Sequence, residues 1–207
     1  MKPLNHSNFL EQFHSCVHIR KMANVEYTPG FLIPNHYCYK ESLVSPFSPD
    51  DFLHLLGGGS IHADAPLSFR FSPLDCHLLL LTTMGSGRII TSGHREISAA
   101  EGRLVCFDCR QDFSLQSVVV PWNFKLFFIC GTGMSTFSTA LRKSSQSFSL
   151  SLASPVVRCI QSLLSAPDTP DARALLQMHQ NLTMILTDIC AACFPSSEKP
   201  LQETPWY

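Results

Sequence analysis

Between Cys76 and Gly131 the chain runs as short apolar stretches broken by polar and glycine turn signals: CHLLLLTTMGSGRIITSGHREISAAEGRLVCFDCRQDFSLQSVVVPWNFKLFFICG. Apolar stretches with turn signals at roughly 8–12-residue spacing predict the short strands of a β-barrel or sandwich. Leu67-Ser-Phe-Arg-Phe71 alternates and reads as a strand. Cys76 to Thr83 is nearly continuous in apolar character, so both of its faces are expected to be covered. Gly85-Ser86-Gly87 is expected to turn the chain, with Arg88–Thr91 a strand, Ser92–Gly93 a tight turn and His94–Ile97 another strand. Ala100-Glu101-Gly102 turns again, Leu104–Phe107 is a strand, and Phe113–Val120 and Phe124–Cys130 complete the set. Such a series indicates an antiparallel up-and-down or jelly-roll barrel. A barrel of this size has an interior able to hold one small ligand. The β pattern is read from Ser60 onward; before it, Ser45–Leu56 suggests a turn or short helix and Gly57-Gly58-Gly59 a hinge or tight turn. A phosphate cradle at the triple glycine is disfavoured, because no Lys-Ser/Thr follows it.

After Gly133 the period changes. Ser154 followed by Pro155 marks a helix start, with Ser as N-cap and Pro at the first helical position, and the helix is predicted over Val156 to about Ser165. Ala166–Pro170 is a loop, and Asp171 opens a long helix to about Phe194, stopped by Pro195. Along it Leu175, Met178, Leu182, Ile185 and Ile189 recur at near-heptad spacing, flanked by Leu176, His179, Leu186, Cys190 and Cys193. One stripe suffices to cover a barrel. Two suggest a second contact, as in a coiled-coil seam, so the first stripe is taken as a dimerisation surface, with a wholly intramolecular helix as the alternative. At the other end, Met1–Ala23 could hold an amphipathic helix, with Phe9, Leu10, Phe13 and Val17 at helical spacing. Asn24–Tyr39, broken by Pro29, Gly30 and Pro34, reads as an extended arm. The resulting organisation is an N-terminal segment and arm over 1–44, a barrel over 45–135, dimerisation helices over 154–195, and the start of a linker over 196–207.

Composition narrows the function. Hydrophobic residues make up 45% and charged residues 15% of the 207, ample material for a core. Fifteen Lys+Arg against 16 Asp+Glu leave a net charge of −1, which argues against direct nucleic-acid binding by this chain. No apolar run reaches the roughly 18–20 residues needed to cross a bilayer, and the polar N-terminus carries no signal-peptide core, so a cytoplasmic location is expected. The nine cysteines are then expected to act as small buried hydrophobes. Cys106 and Cys109 fall on a predicted strand, where residues three apart point to opposite faces. Cys190 and Cys193 share a helix face, but a zinc site needs two further ligands and no second close pair accompanies them.

Candidate chemistry is sparse. A metal site of the cupin kind needs a His-x-His with a downstream Glu and a further His after the next glycine turn. Here Gly93 is followed by His94-Arg95-Glu96, and Gly102–Gln116 contains no His. No G-x-S-x-G elbow occurs. No catalytic residue, metal or cofactor is therefore expected, and binding without chemistry remains. Arg70, a charge inside an apolar strand, either faces solvent or caps a ligand. His77 is either a satisfied structural histidine or a ligand contact. Trp122 is either a packing anchor at a barrel end or an aromatic platform for a sugar face. His94 joins the candidate ligand set, and Tyr37 and Tyr39 on the arm could close over the barrel mouth.

The order of these pieces resembles the N-terminal regulatory domain of AraC-family transcription regulators. The resemblance is carried by Phe31-Leu-Ile-Pro-Asn-His-Tyr37, by Leu78–Gly87 with its Gly-Ser-Gly, and by Glu101-Gly102-Arg103-Leu104. Its strongest part is Pro121-Trp122-Asn-Phe124 with the downstream Phe128-Ile-Cys-Gly131. The helices after Ser154 sit where the family dimerises, and Glu203-Thr-Pro-Trp-Tyr207 sits where its linker approaches a DNA-binding domain. Gln111 or Asp112 stands where many members have His, and Lys125 where an aromatic is common, which leaves the ligand class open. The resemblance implies a mainly β fold, a cupin-like barrel (jelly roll) followed by two antiparallel helices. It further implies a small-molecule effector, with a sugar or related metabolite as one candidate, a homodimer, and DNA contacts made only by a helix-turn-helix domain outside this chain. The alternative is a metal-dependent cupin enzyme, an isomerase or dioxygenase.

Overall fold

The computed structural model describes residues 18–19, 25–27, 52–63, 66–71, 73–131, 133–141, 146–151, 153–165 and 171–193. Among the described residues nine strands lie in one antiparallel sheet: β1 (His18–Ile19), β2 (Val25–Tyr27), β3 (His54–Ala63), β4 (Ser68–Phe71), β5 (His77–Thr91), β6 (Glu96–Ala100), β7 (Arg103–Asp108), β8 (Phe113–Cys130) and β9 (Ser147–Ser149). The described helices after β8 are α1 (Met134–Leu141), α2 (Pro155–Leu164) and α3 (Ala172–Cys193).

The two long strands β5 and β8 form the spine. They pair from His77↔Ile129 to Thr91↔Phe113. Each is flanked by two shorter strands, one per half. β7 pairs with the first half of β5 and β6 with the second. β3 pairs with the second half of β8 and β4 with the first. Side chains from both halves converge on a single interior: Ile61, Leu78, Leu80 and Phe128 from one half, Phe71, Ile89, Ile97 and Leu115 from the other. A sheet whose two halves bury one face against each other is a jelly-roll barrel, here cupin-like. Strand alternation sends the other residues outward. Leu55, Leu79, Leu81, Leu104, Cys106, Phe127 and Ile129 form a second core beneath the helices.

The glycines sit differently from the sequence expectation. Gly85-Ser86-Gly87 does not turn the chain: β5 passes straight through it, with register shifts between Thr82 and Gly87 absorbing the irregularity. Gly85 takes a left-handed φ of 70°, and a Cβ there would meet the Pro121 carbonyl oxygen at 2.1 Å. Phe113–Val120 and Phe124–Cys130 are likewise one strand, continuous across a cis Val120–Pro121 bond. The triple glycine is not a hinge but part of β3, which begins at His54 rather than Ser60. Gly58 lies so close to β8 that a Cβ would meet the Leu126 carbonyl oxygen at 2.5 Å and the Phe127 ring at 2.6 Å. In both glycine-rich places glycine serves close approach of backbones rather than a change of direction.

Within the segment given to an N-terminal helix, His18–Ile19 is a strand paired with β4. Phe9, Leu10, Phe13 and Val17 lie outside the described residues. β1 and β2 hold the same register against β4 and β3, from His18↔Arg70 to Val25↔Ala63.

α2 begins as its capping residues dictate, with the Ser154 hydroxyl accepting from the Val156 N–H and Pro155 at the first position. α2 and α3 run antiparallel: Asn181 Nδ2 donates to Ser162 Oγ at 3.0 Å, and further along Cys159 lies close to Asp188. The stripe assigned to dimerisation is turned inward. Met178, Leu182, Ile185 and Ile189 are buried in the core beneath the sheet, and Leu175 packs against it. These positions are filled by the chain's own sheet and helices, so they cannot also form a seam with a second copy. Leu176 and Met184 are on the exposed side of α3, each about 41% accessible.

Candidate functional site: the barrel interior

β8 enters the barrel at Trp122. The indole is fully buried, its Nε1–H donates to Thr82 Oγ1 at 3.2 Å, and the Thr82 hydroxyl donates to the Ala99 carbonyl at 2.9 Å. The ring lies over Gly87 and sits 4.1 Å, centroid to centroid, from Phe124. Around it the interior is aromatic and aliphatic. Phe71 stacks on Phe113 at 4.6 Å with 8° between planes, and Phe107 and Phe128 complete the cluster. In this interior the Thr82 hydroxyl and the indole N–H are satisfied by each other and by a backbone carbonyl, and the Cys109 thiol by the Phe107 carbonyl. Buried polar groups so paired offer nothing to a sugar hydroxyl, whereas a hydrocarbon surface meets matching walls.

The predicted ligand set does not assemble. Trp122 is a packing anchor inside the barrel, not an open platform. His77 leaves the interior altogether: it shares the outward side of β5 with Leu79 and Leu81, and its Nε2 lies 2.7 Å from the Ser138 hydroxyl of α1. It is therefore the satisfied structural histidine, buried between sheet and helix. His94 occupies the exposed β5–β6 turn at φ 58°, far from a cavity role. Arg70 lies in β4, opposite Ser114 of β8 and His18 of β1, with its side chain outside the described residues. Tyr37 and Tyr39 also lie outside them.

Sequence reasoning missed the polar contacts of four residues, His54, His62, His179 and Asp108. His54 is buried between Phe52 and Cys130, with Nδ1 3.0 Å from the Phe52 carbonyl and Nε2 3.0 Å from Cys130 Sγ. Those partners assign the proton to Nδ1 and leave Nε2 to accept from the thiol. His62 Nδ1 is hydrogen-bonded to Asn123 Oδ1 across the β3–β8 ladder. His179 of α3 accepts from the Leu53 N–H at 3.1 Å and meets the Phe52 ring edge-on at 4.9 Å, tying the long helix to the start of β3. Asp108 is paired across the ladder with His77. Burial acts to raise its pKa, but the hydrogen bonds from Arg110 and the nearby His77 and Arg110 charges outweigh that and hold the carboxyl well below the usual range. None of these was visible as a motif, since the pairs are distant in sequence except His54 with Phe52 and Asp108 with Arg110.

Cys76, Cys106 and Cys159 are buried, and that burial raises their thiol pKa. Cys106 lies under the helices, and desolvation, followed by the proximity of Cys190, pushes its thiol far up. Cys109 lies inside the barrel, so the two ends of Cys106–Cys109 do fall on opposite faces. Among the described residues no group of three or more His, Cys, Asp or Glu is placed to hold a metal ion. No helix among them is long and apolar enough to cross a membrane.

The architecture is thus that of a cupin-like barrel carrying a helical pair. No family model matches the sequence, and no curated protein matches it. Solved structures do. The structure of the AraC-like transcriptional activator CuxR matches with a TM-score of 0.50 at 12% identity, covering 86% of this chain and 64% of that one. ToxT from Vibrio cholerae strain SCE256 matches with a TM-score of 0.46 at 10% identity, covering 64% of this chain and 55% of that one. An RmlC-like cupin protein from Desulfovibrio desulfuricans matches with a TM-score of 0.25 at 14% identity, covering 44% of this chain and 96% of that one. This chain therefore spans less than two thirds of the length of the CuxR chain it matches.

Proposed function

We propose that this chain is the effector-binding part of an AraC-like transcription regulator. The observation that supports it most is the likeness to CuxR over 86% of the chain, a stretch long enough to take in barrel and helices together. In this reading DNA is contacted by a separate helix-turn-helix domain, consistent with a net charge of −1 here. The protein works in the cytoplasm as a homodimer. With the Leu175–Ile189 stripe occupied internally, the dimer uses another surface, and the outward side of α3 with Leu176 and Met184 is the one we favour.

The effector is apolar or amphipathic rather than a sugar. Trp122, Phe71, Phe107, Phe113 and Phe128 are buried together in the interior, and in this reading a ligand enters as these side chains move. Binding and conformational change are then one event, and the effector shifts the population toward a rearranged barrel to the extent that it prefers it. A thermal-shift screen tests this. Medium-chain carboxylic acids and aromatic acids should raise the melting midpoint saturably, while pentoses and hexoses leave it unchanged. Stabilisation by sugars alone, or by no small molecule in either set, would overturn the assignment of the interior as the effector site.

A further inference from the structure

Cys76 and Cys109 stand one step beyond the last β5–β7 pair, His77↔Asp108. The Cys109 N–H donates to the Cys76 carbonyl at 3.0 Å, and the Leu74 N–H donates to the Cys109 carbonyl at 2.9 Å. The two residues therefore lie across from each other on adjacent segments just past the end of the ladder, with the Cys76 N–H turned to the Leu74 carbonyl at 2.9 Å. Both side chains lie in the barrel core and both are buried, the Cys109 thiol donating to the Phe107 carbonyl at 3.8 Å. Residues directly opposed in an antiparallel pair lie about 4.5–5.5 Å apart at Cα. That separation is within the range that a disulfide spans, roughly 4.4–6.8 Å.

We propose that Cys76 and Cys109 form a redox-convertible pair that closes as a disulfide and staples the start of β5 to the end of β7. The oxidant is a low-molecular-weight disulfide, RSSR. Cys76 loses its proton and attacks one sulfur of RSSR, forming a mixed disulfide and releasing one RSH. Cys109 then attacks the Cys76 sulfur, an S–S bond forms between the two side chains, and the second RSH leaves with the Cys109 proton. The pair is oxidised by two electrons and RSSR is reduced to two thiols. Burial raises the pKa of the Cys76 thiol and shields it from solvent, so exchange waits on local opening of the segment around exposed Pro73 and Asp75. That gating separates this pair from a standing nucleophile and makes closure slow but durable.

The test uses the whole chain in its native state. It is incubated with oxidised glutathione, remaining thiols are alkylated, and the digest is searched by mass spectrometry for the peptide joining the Cys76 segment to the Cys109 segment. The proposal expects that peptide, its loss on treatment with dithiothreitol, and a higher melting midpoint for the oxidised protein. Cys106 lies near Cys109 in the chain, so Cys106→Ser should retain the cross-link and Cys109→Ser should abolish it. Should Cys109→Ser fail to fold, fragmentation of the cross-linked peptide from the unsubstituted protein locates the bond. Absence of the peptide under conditions that oxidise the same chain in urea overturns the proposal, as does a bond from Cys76 to Cys106 instead.

Discussion

Gly87→Ala isolates the contact on which the barrel corner depends. A Cβ at position 87 would lie 2.1 Å from Cη2, 2.2 Å from Cζ2 and 2.6 Å from Cε2 of Trp122. Ordinary carbon contacts are about 3.5–4.0 Å, so the ring has to move by more than an ångström. It has nowhere to go, being fully buried against Phe124 and bonded to Thr82. Overpacking of this kind costs about 1–3 kcal/mol. Losing the indole hydrogen bond adds about 1 kcal/mol. Replacing glycine where φ is not left-handed returns about 0.4–1 kcal/mol through the unfolded chain. The net expectation is a loss of about 1–3 kcal/mol. Trp122→Ala alone should cost about 3–5 kcal/mol. In the double substitution the added methyl enters the space that the indole left. The two effects should therefore combine to less than their sum, with a coupling of about 1–3 kcal/mol. Urea denaturation with matched m-values measures all three. Strict additivity, or a neutral Gly87→Ala, would refute the contact.

Other expectations follow from the helix and the ladder. Leu182→Asp should unfold the protein, because Leu182 is fully buried beneath the sheet, whereas Met184→Asp should leave the melting midpoint nearly unchanged and shift sedimentation toward the monomer. Asp108 is held below the ordinary carboxylate range when folded, so its contribution to stability is present above about pH 4 and is lost as pH falls further through the folded value. Asp108→Asn should therefore lower stability at neutral pH, where the charged carboxylate contributes, and converge with the unsubstituted protein at low pH, which flattens the acid limb of the profile. Elemental analysis of purified protein should find no stoichiometric transition metal; a tightly held one would favour the cupin-enzyme alternative.

The strands were legible where apolar runs met turn residues, and α2 and α3 where caps and period agreed. What failed was the meaning of glycine. Gly85-Ser86-Gly87 looks like a turn in one dimension, but its partners Pro121 and Trp122 lie more than thirty positions away and only pairing brings them together. The Leu175–Ile189 stripe was visible, yet a sequence period shows that a face is buried and not against what. The candidate site suffered most. His77 and Trp122 are polar-capable residues in strands, and which side of a sheet each faces is set by register, which a single strand does not reveal. His54–Cys130 and Leu53–His179 are contacts between distant segments and leave no local signal.

The chain has two tryptophans, Trp122 in the interior and Trp206 in the tail beyond the described residues. A Trp206→Phe variant leaves Trp122 as a lone reporter of the barrel. Titrating that variant with medium-chain or aromatic carboxylic acids, and in parallel with sugars, tests the interior directly by fluorescence. The account predicts a saturable change in Trp122 emission with the apolar acids and none with the sugars. Emission unchanged by every apolar acid, or a saturable response to a sugar, would contradict it.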